Sequence, residues 1–293
     1  MPLVSVCLPV RNCEDRVSDV VRAVLKQDHE NLELVISDNA STDGTGEICR
    51  ELTHEDARIV YHRQPENVGM LNNFITAMRL TTGTYLRWIG DDDSIAPANV
   101  SRCLEAFAAD ERLVLVTTQV SFIGPDGIER TAPYDGNGLS SDDPADRFAE
   151  LLRLLNASYL LMDPLYGLMR RSAVVGIPRR NMLREDQIFA ANIALAGPWA
   201  HINEVLGRRG WTHDSGPPMT ERLGLPAWHA RIANLRQCRE LLRCVRNADL
   251  DAGQRARARA AVGRLYVERQ RQLVTRRSRK LVAMALRGGV VRG

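Results

Sequence analysis

The stretch Tyr85-Leu86-Arg87-Trp88-Ile89-Gly90-Asp91-Asp92-Asp93 decides how the chain is read. Its apolar run, set off upstream by Thr82-Gly83-Thr84, has the character of a strand buried in a parallel sheet. The run stops at Gly90 and three consecutive carboxylates follow. Adjacent negative charges repel unless a cation or solvent compensates them. Ligands of open α/β sheets bind at that same C-terminal edge. Hard dications prefer carboxylate oxygens and leave positions open for water and substrate phosphates. The stretch therefore reads as a metal–diphosphate site. The bland alternative is a solvated acidic turn in which Asp93 or Ser94 caps a helix beginning near Pro97.

A strand–helix rhythm runs through everything upstream. Leu3 to Val10 is a compact apolar strand that stops at Pro9-Val10-Arg11-Asn12, and Val17, Val20, Val21, Val24 and Leu25 follow at helical spacing. Leu32 to Ser37 is a second strand, closed by Asp38-Asn39-Ala40-Ser41-Thr42-Asp43-Gly44-Thr45. There Thr42 or Asp43 can cap the helix that carries Ile48 and Leu52. Arg58 to His62 forms a third strand, and Asn67-Val68-Gly69 leads into a helix with Leu71, Phe74, Ile75 and Met78. Four such units predict right-handed crossovers and an α/β fold, a mostly parallel sheet flanked by helices. Asn12 and Glu14, then Asp38, then the three aspartates should line one sheet edge. The first strand lacks a G-x-G-x-x-G turn and no G-x-x-x-x-G-K-[ST] occurs, which sets aside dehydrogenase and P-loop chemistry.

At 293 residues the chain can form one large domain, or one plus an appendage. A formal charge of +3 is too small for a dedicated nucleic-acid binder. The six cysteines form no C-x-x-C pair and read as buried, reduced thiols of a cytosolic protein. The N-terminus enters a strand without a signal-peptide pattern. The longest apolar run, near Tyr159 to Met169, is broken by Asp163-Pro164, so a soluble or membrane-peripheral protein is expected.

Pro9-Val10-Arg11-Asn12, the Asp38 to Thr45 string, Asn67-Val68-Gly69 and Gly90-Asp91-Asp92-Asp93 come in order and at suitable intervals. Together they resemble glycosyltransferase family 2, strongly over the first hundred residues and more weakly to about residue 215. The resemblance implies a GT-A-like domain over about residues 1–225 that transfers a sugar from a nucleoside-diphosphate sugar to an acceptor hydroxyl. It places Pro9, Arg11, Asn12, Glu14 and Asp38 around the nucleoside, with Asp38 accepting a hydrogen bond from the base. Asn67 and Gly69 would lie close to the nucleotide, Gly69 also serving a turn that needs positive φ. Asp43 is expected to cap the second helix.

The family's metal motif usually reads Asp-x-Asp-Asp, and Gly90 stands where its first Asp is expected. Pro97 sets a register that makes Asp92 the ligand of Mg²⁺ or Mn²⁺. Asp91 then approaches the ribose or a metal-bound water, and Asp93 supports the metal or caps the helix. Arg184-Glu185-Asp186-Gln187 resembles the family's Glu-Asp motif before the acceptor-side helix. It implies Asp186, with Glu185 beside it, as general base of an inverting transfer. A free Asp, with a pKa of about 3.9, is a weak base, so burial would have to raise it. The alternative is that the pair decorates a helix N-terminus. In the Gly- and Pro-rich segment beyond, Arg209 is expected on a phosphate and His213 as third metal ligand.

Residues 226–293 read as a helical, basic extension. Ile232, Leu235, Cys238, Leu242 and Val245 form one stripe. Arg255, Arg257, Arg259, Arg264, Arg269, Arg271, Arg276, Arg277, Arg279 and Lys280 follow, with only Glu268 opposed and Val262, Leu265, Tyr266 and Leu273 interleaved. Such a helix can lie on an anionic membrane surface, which suits a lipid-linked acceptor at the cytoplasmic face. Packing on the catalytic domain, or on a second subunit of a homo-oligomer, is the equal alternative. No aromatic platform points to nucleic acid. Two rivals to the transferase stand: a nucleotidylyltransferase, which would need a Gly-rich basic loop after the first strand, and a silent nucleotide-sugar-binding scaffold.

Overall fold

Seven consecutive residues, Val4–Val10, form strand β1 and are buried throughout, because helices cover both faces of the sheet. The computed structural model describes residues 1–124, 126–134, 138–158, 161–210 and 218–288, with 210 and 276–288 as backbone only. After β1 comes α1 (Val17–Leu25), whose Val17, Val20, Val21 and Val24 make the buried stripe that the spacing predicts. The alternation continues through β2 (Leu32–Asp38), α2 (Thr45–Glu55), β3 (Ile59–Arg63), α3 (Met70–Leu80) and β4 (Tyr85–Trp88). Strand β1 pairs in parallel with β2 and β4, and β2 with β3. The four read strands are therefore neighbours, and their C-terminal ends share one edge.

The chain goes on through β5 (Asp93–Ile95), α4 (Asn99–Ala109), β6 (Leu115–Ile123), β7 (Glu129–Arg130), α5 (Pro144–Ala157) and β8 (Leu168–Arg170). Helices α6 (Arg171–Val174) and α7 (Glu185–Ala196) and strand β9 (Trp199–Gly210) complete the part built around the sheet. Among the described residues the sheet has nine strands in the order β3-β2-β1-β4-β8-β6-β9-β5, with β7 paired to β6. Following the pairings, β1, β2, β3, β4, β6 and β9 run one way while β5, β7 and β8 oppose them. The sheet is thus mostly parallel. One apolar cluster joins Val6, Leu8, Leu34 and Ile36 to α1, α2 and α4. The other joins Leu86, Trp88 and Met169 to α3, α5 and α7. All six cysteines are buried and free.

The acidic turn differs from its expected form. Helix α4 begins at Asn99 with Ala98 before it and no side-chain cap, so neither Asp93 nor Ser94 caps it. Both lie in β5, opposite Arg209 and Arg208 of β9.

Helices α8 (Met219–Arg222), α9 (Ala233–Asn247) and α10 (Ala252–Gly288) form the C-terminal part. The inward face of α9 is Ala233, Gln237, Cys238, Leu241, Cys244 and Val245. Leu235 and Leu242, expected in that stripe, are exposed, because the buried Gln237 anchors the helix in a different phase. Ala258, Ala261, Val262 and Leu265 of α10 are buried in the same cluster as Trp88 and Phe189. The basic arm is partly spent inside the protein. Arg255 donates to the carbonyls of Val245 (2.9 Å), Arg246 (3.0 Å) and Leu250 (2.9 Å) and so closes the end of α9. Arg257 pairs with Asp143, and Arg269 is buried. Arg259, Arg264 and Arg271 stay outside. Among the described residues no helix is long and apolar enough to cross a membrane.

Candidate active site

The ends of β1 and β2 are stapled together. Asn12 adopts φ 52°, its N–H donates to Ser41 Oγ at 3.0 Å, and its Oδ1 accepts from Thr42 N at 2.9 Å. Glu14 Oε2 accepts from Gly44 N at 2.6 Å. Asp43 Oδ1 accepts from Thr45 N at 3.1 Å just ahead of α2, whose N-cap position is Gly44 and not the expected Asp43. Asn12 and Glu14, expected around the nucleoside, thus shape the loop behind it. Pro9 lies buried in β1.

Asp38 is fully buried with both oxygens occupied. Its Oδ1 accepts from Ser41 N (2.8 Å) and Oγ (2.6 Å), and its Oδ2 from Tyr61 Oη (2.8 Å) and Arg63 Nη1 (3.0 Å). The bond to a base expected of Asp38 is closed in this arrangement and requires a protein donor to withdraw. Arg63, with 41 % of its side chain exposed, is the most accessible of those donors. Arg11 is exposed and has no partner among the described residues. Asn67 Oδ1 accepts from Asn39 Nδ2 (2.8 Å) and Gly69 N (3.0 Å), and Gly69 takes φ 86° at the start of α3. The sequence reading missed Asn73. Its Nδ2 donates to Ser37 O at 2.8 Å and Val10 O at 3.3 Å, which holds the ends of β1 and β2 in register.

In the acidic turn each aspartate has a different fate. Gly90 N donates to Asp93 Oδ2 at 3.0 Å, and Arg209 Nε donates to Asp93 Oδ1 at 3.1 Å. A Cβ on Gly90 would lie 2.7 Å from that Oδ2 and 3.1 Å from Asp92 Oδ1, which explains why glycine stands where an Asp was expected. Asp91 pairs with Arg16 at 2.8 Å. Asp92 points outward, with no ion-pair partner among the described residues. Surrounding protein and the Asp91 charge push its carboxyl above the ordinary range, against the pull of Arg209.

Across the cleft, Arg209 pairs with Asp163 and lies 4.1 Å over the Tyr166 ring. Asp163 Oδ1 also accepts from Leu165 N at 3.2 Å, capping the short turn Pro164–Tyr166. Asp186 sits in the first turn of α7, where two cavities of about 390 Å³ and 700 Å³ meet. Both are lined by Asp163, Asp186, Gln187 and Arg209. Asp186 is open to the cavity space but sunk among protein atoms. That desolvation, then the charges of Asp163 and Glu185, pushes its carboxyl up to about 6. Glu185 is different. Both its oxygens are held by Arg179, one by Nε at 2.6 Å, and Arg179 stacks 4.6 Å over Phe189 and 5.5 Å over Trp88. Glu185, expected beside the base, is thus tied to Arg179 at the start of α7. Arg184, immediately before, takes the left-handed φ of 64°. Asn12, Ala40 and Arg184 are the non-glycine residues with positive φ among those described, and all three lie on the loops that build this cleft.

The model for glycosyl transferase family 2 matches residues 5–175. The chain belongs to glycosyltransferase family 2. Over 127 residues it is 32 % identical to the chondroitin synthase of Pasteurella multocida (strain Pm70), a match that covers 43 % of this chain and 13 % of that one. The chain thus spans only a small part of that relative's length. S. aureus TarS 1–349 in complex with UDP superposes with a TM-score of 0.64 at 16 % identity, over 89 % of this chain and 70 % of that chain. The mannosyltransferase PcManGT from Pyrobaculum calidifontis, in complex with GDP-Man and Mn²⁺, superposes with a TM-score of 0.54 at 16 % identity, over 99 % and 81 %. At these identities the likeness establishes the fold, which is the GT-A-like architecture expected.

For this family 2 chain the test of a metal centre is its donor set. Among the described residues no group of three or more His, Cys, Asp or Glu side chains is arranged to hold a metal. Asp93, expected as a ligand, is taken by Arg209 and Gly90, and His213 lies outside the described residues. Asp92 is left as an unpaired carboxylate on the turn. Mg²⁺ is commonly held by one or two carboxylates plus substrate phosphates, and that mode fits a lone Asp92 without a preformed cage. Arg209, expected on a phosphate, is instead the tie between Asp93 and Asp163. Sequence reading missed Arg16, Asp163 and Tyr166. Asp163-Pro164 was visible as a break in an apolar run, and a break with a capping residue was the available signal.

Proposed function

We propose that this transferase moves a sugar from a nucleoside-diphosphate sugar to an acceptor hydroxyl with inversion at the anomeric carbon, Asp186 receiving the hydroxyl proton. The observation that carries the reading is the placement of Asp186 in the first turn of α7 at the junction of two cavities, where its surroundings raise its carboxyl to about 6. It is ionised at neutral pH yet more basic than an ordinary Asp, which is what proton removal from an attacking alcohol needs. As the acceptor oxygen bonds to the anomeric carbon, the bond from that carbon to the diphosphate breaks and its electron pair leaves with the phosphate. Asp92 adjoins Asp93 in the turn and Asp186 shares its cavities with Asp163, so both groups border the Asp93–Arg209–Asp163 link. Asp92 would hold Mg²⁺ or Mn²⁺, which when bound offsets the charge of the departing diphosphate. Arg11, exposed after β1 and without a partner among the described residues, is a cation available to the donor's phosphates or ribose. The UDP and the GDP-Man with Mn²⁺ bound to the two structural relatives support a nucleotide-sugar donor and a dication.

The test is release of nucleoside diphosphate from a panel of UDP-, GDP- and dTDP-sugars with Mn²⁺, water serving as acceptor. Asp186→Asn should lower release by roughly 10²-fold or more. The donor's thermal-shift signal should survive. Undiminished release in that variant, or no release from any donor by the parent protein, would overturn the reading.

A further inference from the structure

We propose that Arg269, carried on the C-terminal helix α10, is a positioning residue for Asp186: it clamps the first turn of α7 through Gln187 and, with Arg184, forms a cationic wall behind the base. The inference rests on the reading of Asp186 as the base.

Arg269 is only 8 % exposed, and each of its three guanidinium nitrogens donates to an amide oxygen. Nη2 donates to Gln187 Oε1 at 3.0 Å, Nε to Asn156 Oδ1 at 3.0 Å, and Nη1 to Gln237 Oε1. Gln237, completely buried, donates its Nε2 to the same Gln187 Oε1 at 2.7 Å and accepts from Arg184 Nη1 at 3.1 Å. One amide oxygen thus receives two guanidinium groups, and a second receives Arg269 and Gln237 together. Gln187 is the residue after Asp186, so this network fixes the helix turn that aims the carboxylate.

No carboxylate pairs with Arg184 or Arg269 among the described residues. Cys238 and Asp186 both favour the two guanidinium groups, Cys238 ahead of Asp186 for Arg269, and Asp186 is the carboxylate of the two. Burial first, then Arg184, pulls Arg269 down to about 10. Stability alone would place an apolar side chain here, as α10 does at Ala258, Ala261, Val262 and Leu265. A charge kept where burial disfavours it points to a use for that charge. Around Asp186, Asp163 and Glu185 oppose its ionisation and Arg179 favours it, Arg184 and Arg269 are themselves favoured by its charge, and Arg209 and Arg222 line the cavity space it faces.

The experiment compares pH profiles of Mn²⁺-supported donor hydrolysis for the full chain, Arg269→Gln and Arg269→Lys. Loss of the cation disfavours the carboxylate, so the acid limb of Arg269→Gln should move to higher pH by on the order of half a unit. At pH 6 that puts the variant roughly fourfold below its own plateau, where the parent is about twofold below its own. Arg269→Lys keeps the charge and should keep the limb, with a lower plateau from the lost fork. If the Gln variant does not fold, Gln187→Ala cuts the clamp from the other side and should lower kcat while leaving the donor KM. A parent-like limb in Arg269→Gln, or a kcat unchanged in Gln187→Ala, overturns the proposal. Full activity in Asp186→Asn would instead sink the base assignment, so the two failures are distinguishable.

Discussion

Arg209 Nε donates to Asp93 Oδ1 at 3.1 Å while the same guanidinium pairs with Asp163, so one side chain from β9 joins the acidic turn to the Asp163–Tyr166 turn. Burial works against its charge, but Asp163, Tyr166 and Asp93 together hold it firmly protonated. A fork that satisfies two carboxylates in different directions is what an ammonium cannot copy. Arg209→Lys should therefore lower kcat/KM by roughly 10²-fold, the loss typical of small misplacements of reacting groups. Steady-state kinetics on the purified variant check it; a loss under threefold would mean that the link does not set the cleft.

The raised carboxyl of Asp186 gives the reaction an acid limb. A base works only when ionised, so the rate should fall tenfold per unit below about pH 6 and level off above it. The limb belongs to kcat/KM of the free enzyme. A profile flat from pH 5 to pH 8 would show that proton removal by this group does not limit the rate.

The parts of this fold that were legible are those written locally. Strands β1 to β4 and helices α1 to α3 follow from apolar runs, periodic stripes and turn residues, and the acidic turn and the Glu185-Asp186 pair are visible as short motifs whose roles are proposed above. What was not legible is non-local. Asp93 lies in a three-residue strand whose partner, β9, brings Arg209 from 116 positions away, so its use as an anchor has no local sign. Asp38 reads as a ligand-binding carboxylate until Tyr61 and Arg63 fold over it. The α9 stripe was misphased because period alone cannot tell that a glutamine, Gln237, goes inward to meet two arginines.

Asp92 should carry the metal dependence alone among the three aspartates of the turn. Asp92→Ala should reduce Mn²⁺-supported turnover by on the order of 10²-fold or more, since charge compensation of a leaving diphosphate is worth several kcal/mol. Binding of nucleotide without metal should change little. A titration of Mn²⁺ against donor hydrolysis separates the two, and an unchanged half-saturating Mn²⁺ concentration at unchanged rate would remove Asp92 from the metal.

Glu185 and Asp186, adjacent in sequence, should respond to amidation in opposite ways. Glu185 shares a buried pair with Arg179, whose side chains are 10 % and 3 % exposed. Neutralising one partner leaves a buried charge uncompensated, a loss of about 3–5 kcal/mol. Glu185→Gln should thus melt at clearly lower temperature and lose activity in proportion to folded protein. Asp186 is the reverse case, because its carboxyl titrates near 6 in the folded chain and near the ordinary Asp range when unfolded. Above that range folding works against an ionised, desolvated carboxylate, so at pH 7 Asp186→Asn should melt no lower than the parent, and higher where the penalty is relieved. The same variant should be the one that stops turnover. Thermal melts at pH 7 alongside donor hydrolysis decide it: a strongly destabilised Asp186→Asn would place Asp186, too, in the scaffold and not in the chemistry.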